Sequence, residues 1–135
     1  MESKIADEWL QALAATANAK DFAAHMDLVS PQVAVFGVPG FEVIGYSDSA
    51  AQCKHEFENN VLKRVAYNGL RVIAMTPGSV MFKTLETVEG TDGSLNVNGV
   101  EIVIRKEEDG KWRVTQERIL ASDEMEFDRR AHGDQ

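Results

Sequence analysis

The sequence predicts an α+β fold, with helices packed on one face of a curved sheet, and three observations point there. Apolar residues stand at helical spacing in three stretches of the first 62 residues, with two short strands before the third. From Arg64 onward the pattern changes to long alternating strands separated by turn residues. The stretch from Val100 to Leu120 reads as a β-hairpin around which the rest is organised.

In chain order, Ile5, Trp9, Leu13 and Thr16 stand at helical spacing among alanines, which predicts a first helix over residues 4–18. Lys20 and Asp21 open a shorter one, in which Phe22, His25, Met26 and Val29 share a face and Ser30-Pro31 ends it. The segment 32–45 reads as two short strands broken at Val38-Pro39-Gly40. Ser47, Asp48 and Ser49 offer helix N-caps, and Ala50, Cys53, Phe57 and Val61 continue a third helix to about Leu62. Strands then run over residues 64–76 and 79–90, joined at Pro77-Gly78, and a turn at 91–94 leads into the last hairpin.

In that hairpin Val100, Ile102 and Ile104 alternate with Glu101, Val103 and Arg105, as Trp112 and Val114 do with Arg113 and Thr115. A three-residue loop of Glu108, Asp109 and Gly110, with Gly110 left-handed, closes it. Regular pairing from there sets Lys106 opposite Trp112, Ile104 opposite Val114, Ile102 opposite Gln116 and Val100 opposite Arg118. On this register Gln116 and Arg118 end the apolar face. Val103, Thr115 and Ile119, beside Glu101, Arg105, Arg113 and Glu117, form an outer face suited to a homodimer interface.

The 135 residues suit a single domain over 1–121, followed by a charged, flexible tail over 122–135. A net charge of −8 opposes a general nucleic-acid binder, which needs clustered Lys and Arg. No apolar run approaches the roughly 20 residues of a membrane span, and the N-terminus reads as a helix, not a secretory signal. One cysteine, Cys53, excludes an internal disulfide and suits a reducing, cytoplasmic setting. Cys53 with His55 and His25 with Asp27 fall short of a metal set, so no metal is expected. Phosphate-loop, dinucleotide and serine-nucleophile patterns are absent, so no cofactor is expected either.

Over residues 4–120 the chain resembles the nuclear-transport-factor-2-like superfamily, which includes SnoaL-like cyclases, ketosteroid isomerase and scytalone dehydratase. The resemblance rests on element order, on KDFAAHMDLVSPQVAVF running from the second helix into the first strand, on Gly45 before the third helix, and on DGKWRV in the last hairpin. It implies a cone-shaped α+β barrel, its mixed, mostly antiparallel sheet wrapped around about three helices and an internal pocket. The fold hosts many chemistries and also modules without catalysis. Where ketosteroid isomerase carries its tyrosine, base and acid, this chain aligns Leu13, Gly37 or Phe36, and Ile102, none of which moves a proton. No histidine lies on a strand to match scytalone dehydratase.

Arg118 and Gln116 are the first candidates for holding a ligand. Arg118 either pairs with Glu86 or a ligand carbonyl or carboxylate, or lies half-exposed in a salt bridge to a neighbouring strand or subunit. His25, on the apolar face of the second helix, is the acid–base candidate; its bland alternative is a core histidine bonded to backbone. Tyr46, Trp112 and Ile102 complete the expected lining and Tyr67 is a second phenol for it, with plain core packing the favoured alternative for the aromatic residues. Together these residues predict a pocket for a hydrophobic carbonyl or carboxylate compound. Its use is either cofactor-free cyclisation, isomerisation or dehydration, or binding or dimeric assembly without turnover.

Overall fold

The computed structural model describes residues 2–121 and Glu124, and it places eight elements in the order α1 (Glu2–Asn18), α2 (Phe22–Met26), β1 (Val29–Phe36), α3 (Tyr46–Glu58), β2 (Leu62–Thr76), β3 (Ser79–Gly90), β4 (Leu95–Lys106) and β5 (Trp112–Ile119). The expected tail lies outside these residues except for Glu124. The five strands make one open mixed sheet in the order β1-β5-β4-β3-β2. Only β1 runs parallel, beside β5.

α1 buries Ala6, Trp9, Leu10 and Leu13 against one face of the sheet, where Val80, Phe82, Val100, Ile102, Ile104 and Val114 receive them, and Ala17 packs in a second cluster with Leu62 and Val65. At its end Asn18 behaves like a short piece of strand. Its amide donates to Val65 O at 3.1 Å and accepts from Val65 N at 2.7 Å, which ties α1 to β2. No described helix is long and apolar enough to cross a membrane.

Three local expectations change. α2 stops at Met26, because Asp27 caps it and Val29 already belongs to β1, so Pro31 sits inside the edge strand where its missing N–H is tolerated. The second short strand reduces to a single antiparallel bridge between Val35 and Ile44. α3 begins after Gly45 with no side-chain cap and ends at Glu58.

The largest change lies in the last hairpin. Its turn is as expected, with Glu107 N donating to Lys111 O at 2.9 Å and Gly110 at φ +86°. Lys106 faces Trp112 and Ile104 faces Val114. The next pair is Val103 with Gln116, so Thr115 is an extra residue on β5, a β-bulge. Beyond it Ile102 faces Glu117, Glu101 faces Arg118 and Val100 faces Ile119. The residues following the bulge therefore change faces. Glu117 and Ile119 turn inward with Ile102 and Val100, while Gln116 and Arg118 turn outward with Val103 and Glu101.

Candidate functional site

A cavity of about 320 Å³ opens under α3, walled by that helix, by His25 of α2, and by the ends of β2, β3 and β5 away from the hairpin turn. Its apolar wall includes Val35, Ile44, Phe57, Val65, Val88 and Ile119. Its polar groups are His25, Glu56, Tyr67, Glu86 and Glu117, with Ser49, Gln52 and Cys53 along α3. Among the described residues no lysine or arginine lines it.

Glu117 enters this space because of the bulge at Thr115. It is only partly exposed, and it has no hydrogen-bond or ion-pair partner among the described residues. Burial, reinforced by the nearby charge of Glu86, pushes its carboxyl up to about 8. Glu86 is also raised by burial, but Tyr67 Oη donates to its Oε2 at 2.8 Å and favours its ionised form. Glu117 is accordingly the member of the pair that holds a proton at neutral pH. Tyr67, buried beside two carboxyls, is pushed well above the usual phenol range and stays a donor.

His25 faces the same cavity with the opposite tuning. Burial lowers it below its usual 6.5, partly offset by a hydrogen bond to the Leu13 backbone, so the imidazole is neutral at pH 7. Thr16 Oγ1 lies 2.9 Å from Ala12 O, 3.1 Å from Leu13 O and 2.9 Å from His25 Nδ1. The Thr16 hydroxyl thus ties the His25 ring to the end of α1 through Nδ1, leaving Nε2 as the ring nitrogen not engaged by Thr16. Phe57 packs edge-on against the ring, with centroids 5.6 Å apart. Cys53 is pushed up to about 11 by burial and then by Glu56, which keeps it a thiol and no nucleophile at neutral pH. Among the described residues no three His, Cys, Asp or Glu side chains converge as a metal set.

The expected site residues fall in three places. His25 and Glu86 line the cavity. Arg118 and Gln116 lie on the outer face. Arg118 donates to Glu101 at 3.3 Å and to both oxygens of Glu124 at 2.9 and 3.0 Å, while Gln116 borders an outer groove. Ile102 is 1% exposed in the core, against which Tyr46 and Trp112 pack. The positions aligned with ketosteroid isomerase carry no proton here either. Leu13 is core, and Gly37, at φ +87°, lies so close to β5 that a Cβ would come within 2.5 Å of Ile119 O.

Glu117 is the functional candidate that strand periodicity missed. A signal was present, since Val114 and Ile119 are five residues apart and cannot share a face of a regular strand. If both are inward, one extra residue must lie between them.

No family model and no curated protein matches the sequence. Solved structures do. An NTF-2-like protein of unknown function from Shewanella oneidensis superposes with a TM-score of 0.74 at 13% identity, over 88% of this chain and 98% of its own. The chain has the NTF2-like fold. A proposed scytalone dehydratase from Novosphingobium aromaticivorans gives 0.73 at 8% identity, over 87% and 82% of the two chains. ActVI-ORFA from Streptomyces coelicolor gives 0.70 at 11% identity, over 90% and 97%. At these identities the NTF2-like likeness is one of fold, and activity has to be argued from the cavity.

Proposed function

We propose that the cavity binds a hydrophobic small molecule and catalyses cofactor-free proton transfer on an uncharged carbonyl compound, the class of step that drives isomerisation, dehydration or cyclisation. One observation carries the reading: Glu117, its carboxyl pushed up to about 8 by burial, and His25, its imidazole lowered below 6.5 by burial, line the same largely apolar cavity. Glu117 donates its proton as a hydrogen bond to the carbonyl oxygen. His25 Nε2 then takes the proton from the adjacent carbon and returns it elsewhere on the substrate, so that nothing is oxidised and no cofactor is consumed. A carboxylate substrate is disfavoured, because Glu56, Glu86 and Glu117 line the cavity and no cation among the described residues answers it. The free Cys53 suits a reducing, cytoplasmic setting.

The test is the pH profile of turnover on a panel of apolar enones and β-hydroxy ketones. kcat/KM should be bell-shaped, with an acid limb below 6.5 from His25 and an alkaline limb near 8 from Glu117. His25→Asn should keep ligand binding and lose about 100-fold in kcat. Unchanged turnover in that variant would return His25 to a packing role.

A second reading, a dimeric binding or assembly module, is supported by the outer face. There a groove of about 490 Å³ is bordered by Met75, Met81, Val103 and Gln116, a partly apolar surface for a second copy of the chain. Light scattering at about 50 μM should then show a dimer, and Val103→Glu should reduce it to monomer, as a charge buried in a standard-sized interface would.

A further inference from the structure

We propose that the same cavity is a receptor for hydrophobic primary amines, the ammonium held between the Glu117 and Glu86 carboxyls and the apolar body against Phe57, Val65 and Ile119. The proposal rests on the reading that the cavity binds a small molecule and adds a ligand class to it. Two features carry it. The first is charge: the groups facing Glu117 are Glu86 on β3, Tyr67 on β2, Glu56 and Cys53 on α3 and His25 on α2. Among the described residues none of these is a cation at neutral pH, so the cavity has acceptors in excess and no lysine or arginine among them to balance the charge. The second is partnership: Glu86 Oε2 already accepts from Tyr67, whereas Glu117 has no partner among the described residues, which leaves a carboxyl aimed into an apolar space awaiting a donor.

An ammonium supplies three donors and one positive charge. It relieves both the desolvation of Glu117 and its repulsion from Glu86, the two causes that keep that carboxyl protonated. Amine binding therefore expels the proton of Glu117. Below about pH 8 that proton must be displaced, and above the amine's own pKa the ligand loses its charge, so affinity peaks between the two. A neutral alcohol of the same shape meets no such linkage, and a carboxylate meets only like charge.

Three isosteric probes separate these cases by titration calorimetry: 1-naphthylmethylamine, 1-naphthylmethanol and 1-naphthoate. At about pH 8.5 the amine should bind roughly tenfold or more tighter than the alcohol, as a charge-assisted hydrogen bond in place of a neutral one allows, and naphthoate should be weakest. Glu117→Gln should narrow the gap between amine and alcohol several-fold and abolish the proton release that accompanies amine binding, Glu86 alone remaining to hold the ammonium. If that variant does not fold, wild-type protein provides the same readout. The amine should weaken from about pH 8.5 to about pH 6, with proton release visible in buffers of different ionisation enthalpy, while the alcohol stays level. Alcohol binding equal to amine binding, or naphthoate binding tightest, overturns the amine proposal and leaves the carbonyl reading standing. Failure of all three probes to bind overturns both.

Discussion

The two halves of the β4–β5 hairpin, on either side of Thr115, use the same pairing for opposite ends. Between the turn and the bulge, Ile104 opposite Val114 is core, both nearly inaccessible to water. Beyond the bulge the inward position opposite Ile102 belongs to Glu117, a carboxyl facing a cavity. One extra residue makes the difference. In the near half alternation brings apolar side chains inward, and the energy is that of packing. In the far half the slip sends a guanidinium out to carboxylate partners and brings an acid in without one, so stability is given up where chemistry can be done.

The sharpest break in this contrast comes from the near half. Ile104→Ala removes a fully buried side chain from the central cluster and should cost about 3 kcal/mol at any pH. Urea denaturation at about pH 5 and pH 9 should show the same loss at both. A loss that changes with pH would mean that the near half is coupled to the carboxyls beyond the bulge.

Glu117→Gln should do the reverse. The folded pKa of this acid is raised from 4.5 to about 8, so the native state binds a proton more tightly than the unfolded chain. Its contribution is fully present below about 4.5 and is lost as pH rises through about 8. The variant should match wild type near pH 5 and exceed it near pH 8.5, by about 2 kcal/mol once screening by water in the open cavity is allowed for. Equal stability at the higher pH would place Glu117 in solvent and remove the acid from the proposed mechanism.

The same contrast explains what the sequence made legible. Helices α1 to α3, the turn at Gly110 and the pairs Lys106–Trp112 and Ile104–Val114 follow from local rules, because apolar period and a left-handed glycine leave little choice. Residues 116–118 are Gln-Glu-Arg, all polar, and alternation in a polar run has no phase. The expected register therefore continued regularly past Val114 and exchanged Arg118 for Glu117. His25 and Glu86 came out on the cavity because each lies on an element whose apolar neighbours fix its face: Phe22 and Met26 for one, Phe82 and Val88 for the other. Tyr67 was legible as a phenol for the pocket with packing as the alternative, but its partner was not, since Glu86 lies 19 residues away across the β2–β3 pair.

Arg118→Met should have the smallest effect, and it tests the outward half of the contrast. Arg118 is a little over one-third exposed at the side chain and is shared between Glu101 and Glu124, the second of which it holds down to about 2. Such a pair gains Coulomb energy in a high-dielectric setting and gives much of it back in side-chain entropy, so its removal should cost no more than about 1 kcal/mol. Because salt screens exposed charges over about 8 to 10 Å, the gap between variant and wild type should narrow as NaCl rises towards about 1 M. Ligand binding in the cavity should be unaffected, since the guanidinium lies on the other face of β5 from Glu117. Thermal shift with 1-naphthylmethanol reads both points in one titration, because only binding to the native state raises Tm. A full ligand shift in Arg118→Met agrees with the slipped register; a lost shift in a folded variant would put Arg118 back inside and the bulge elsewhere.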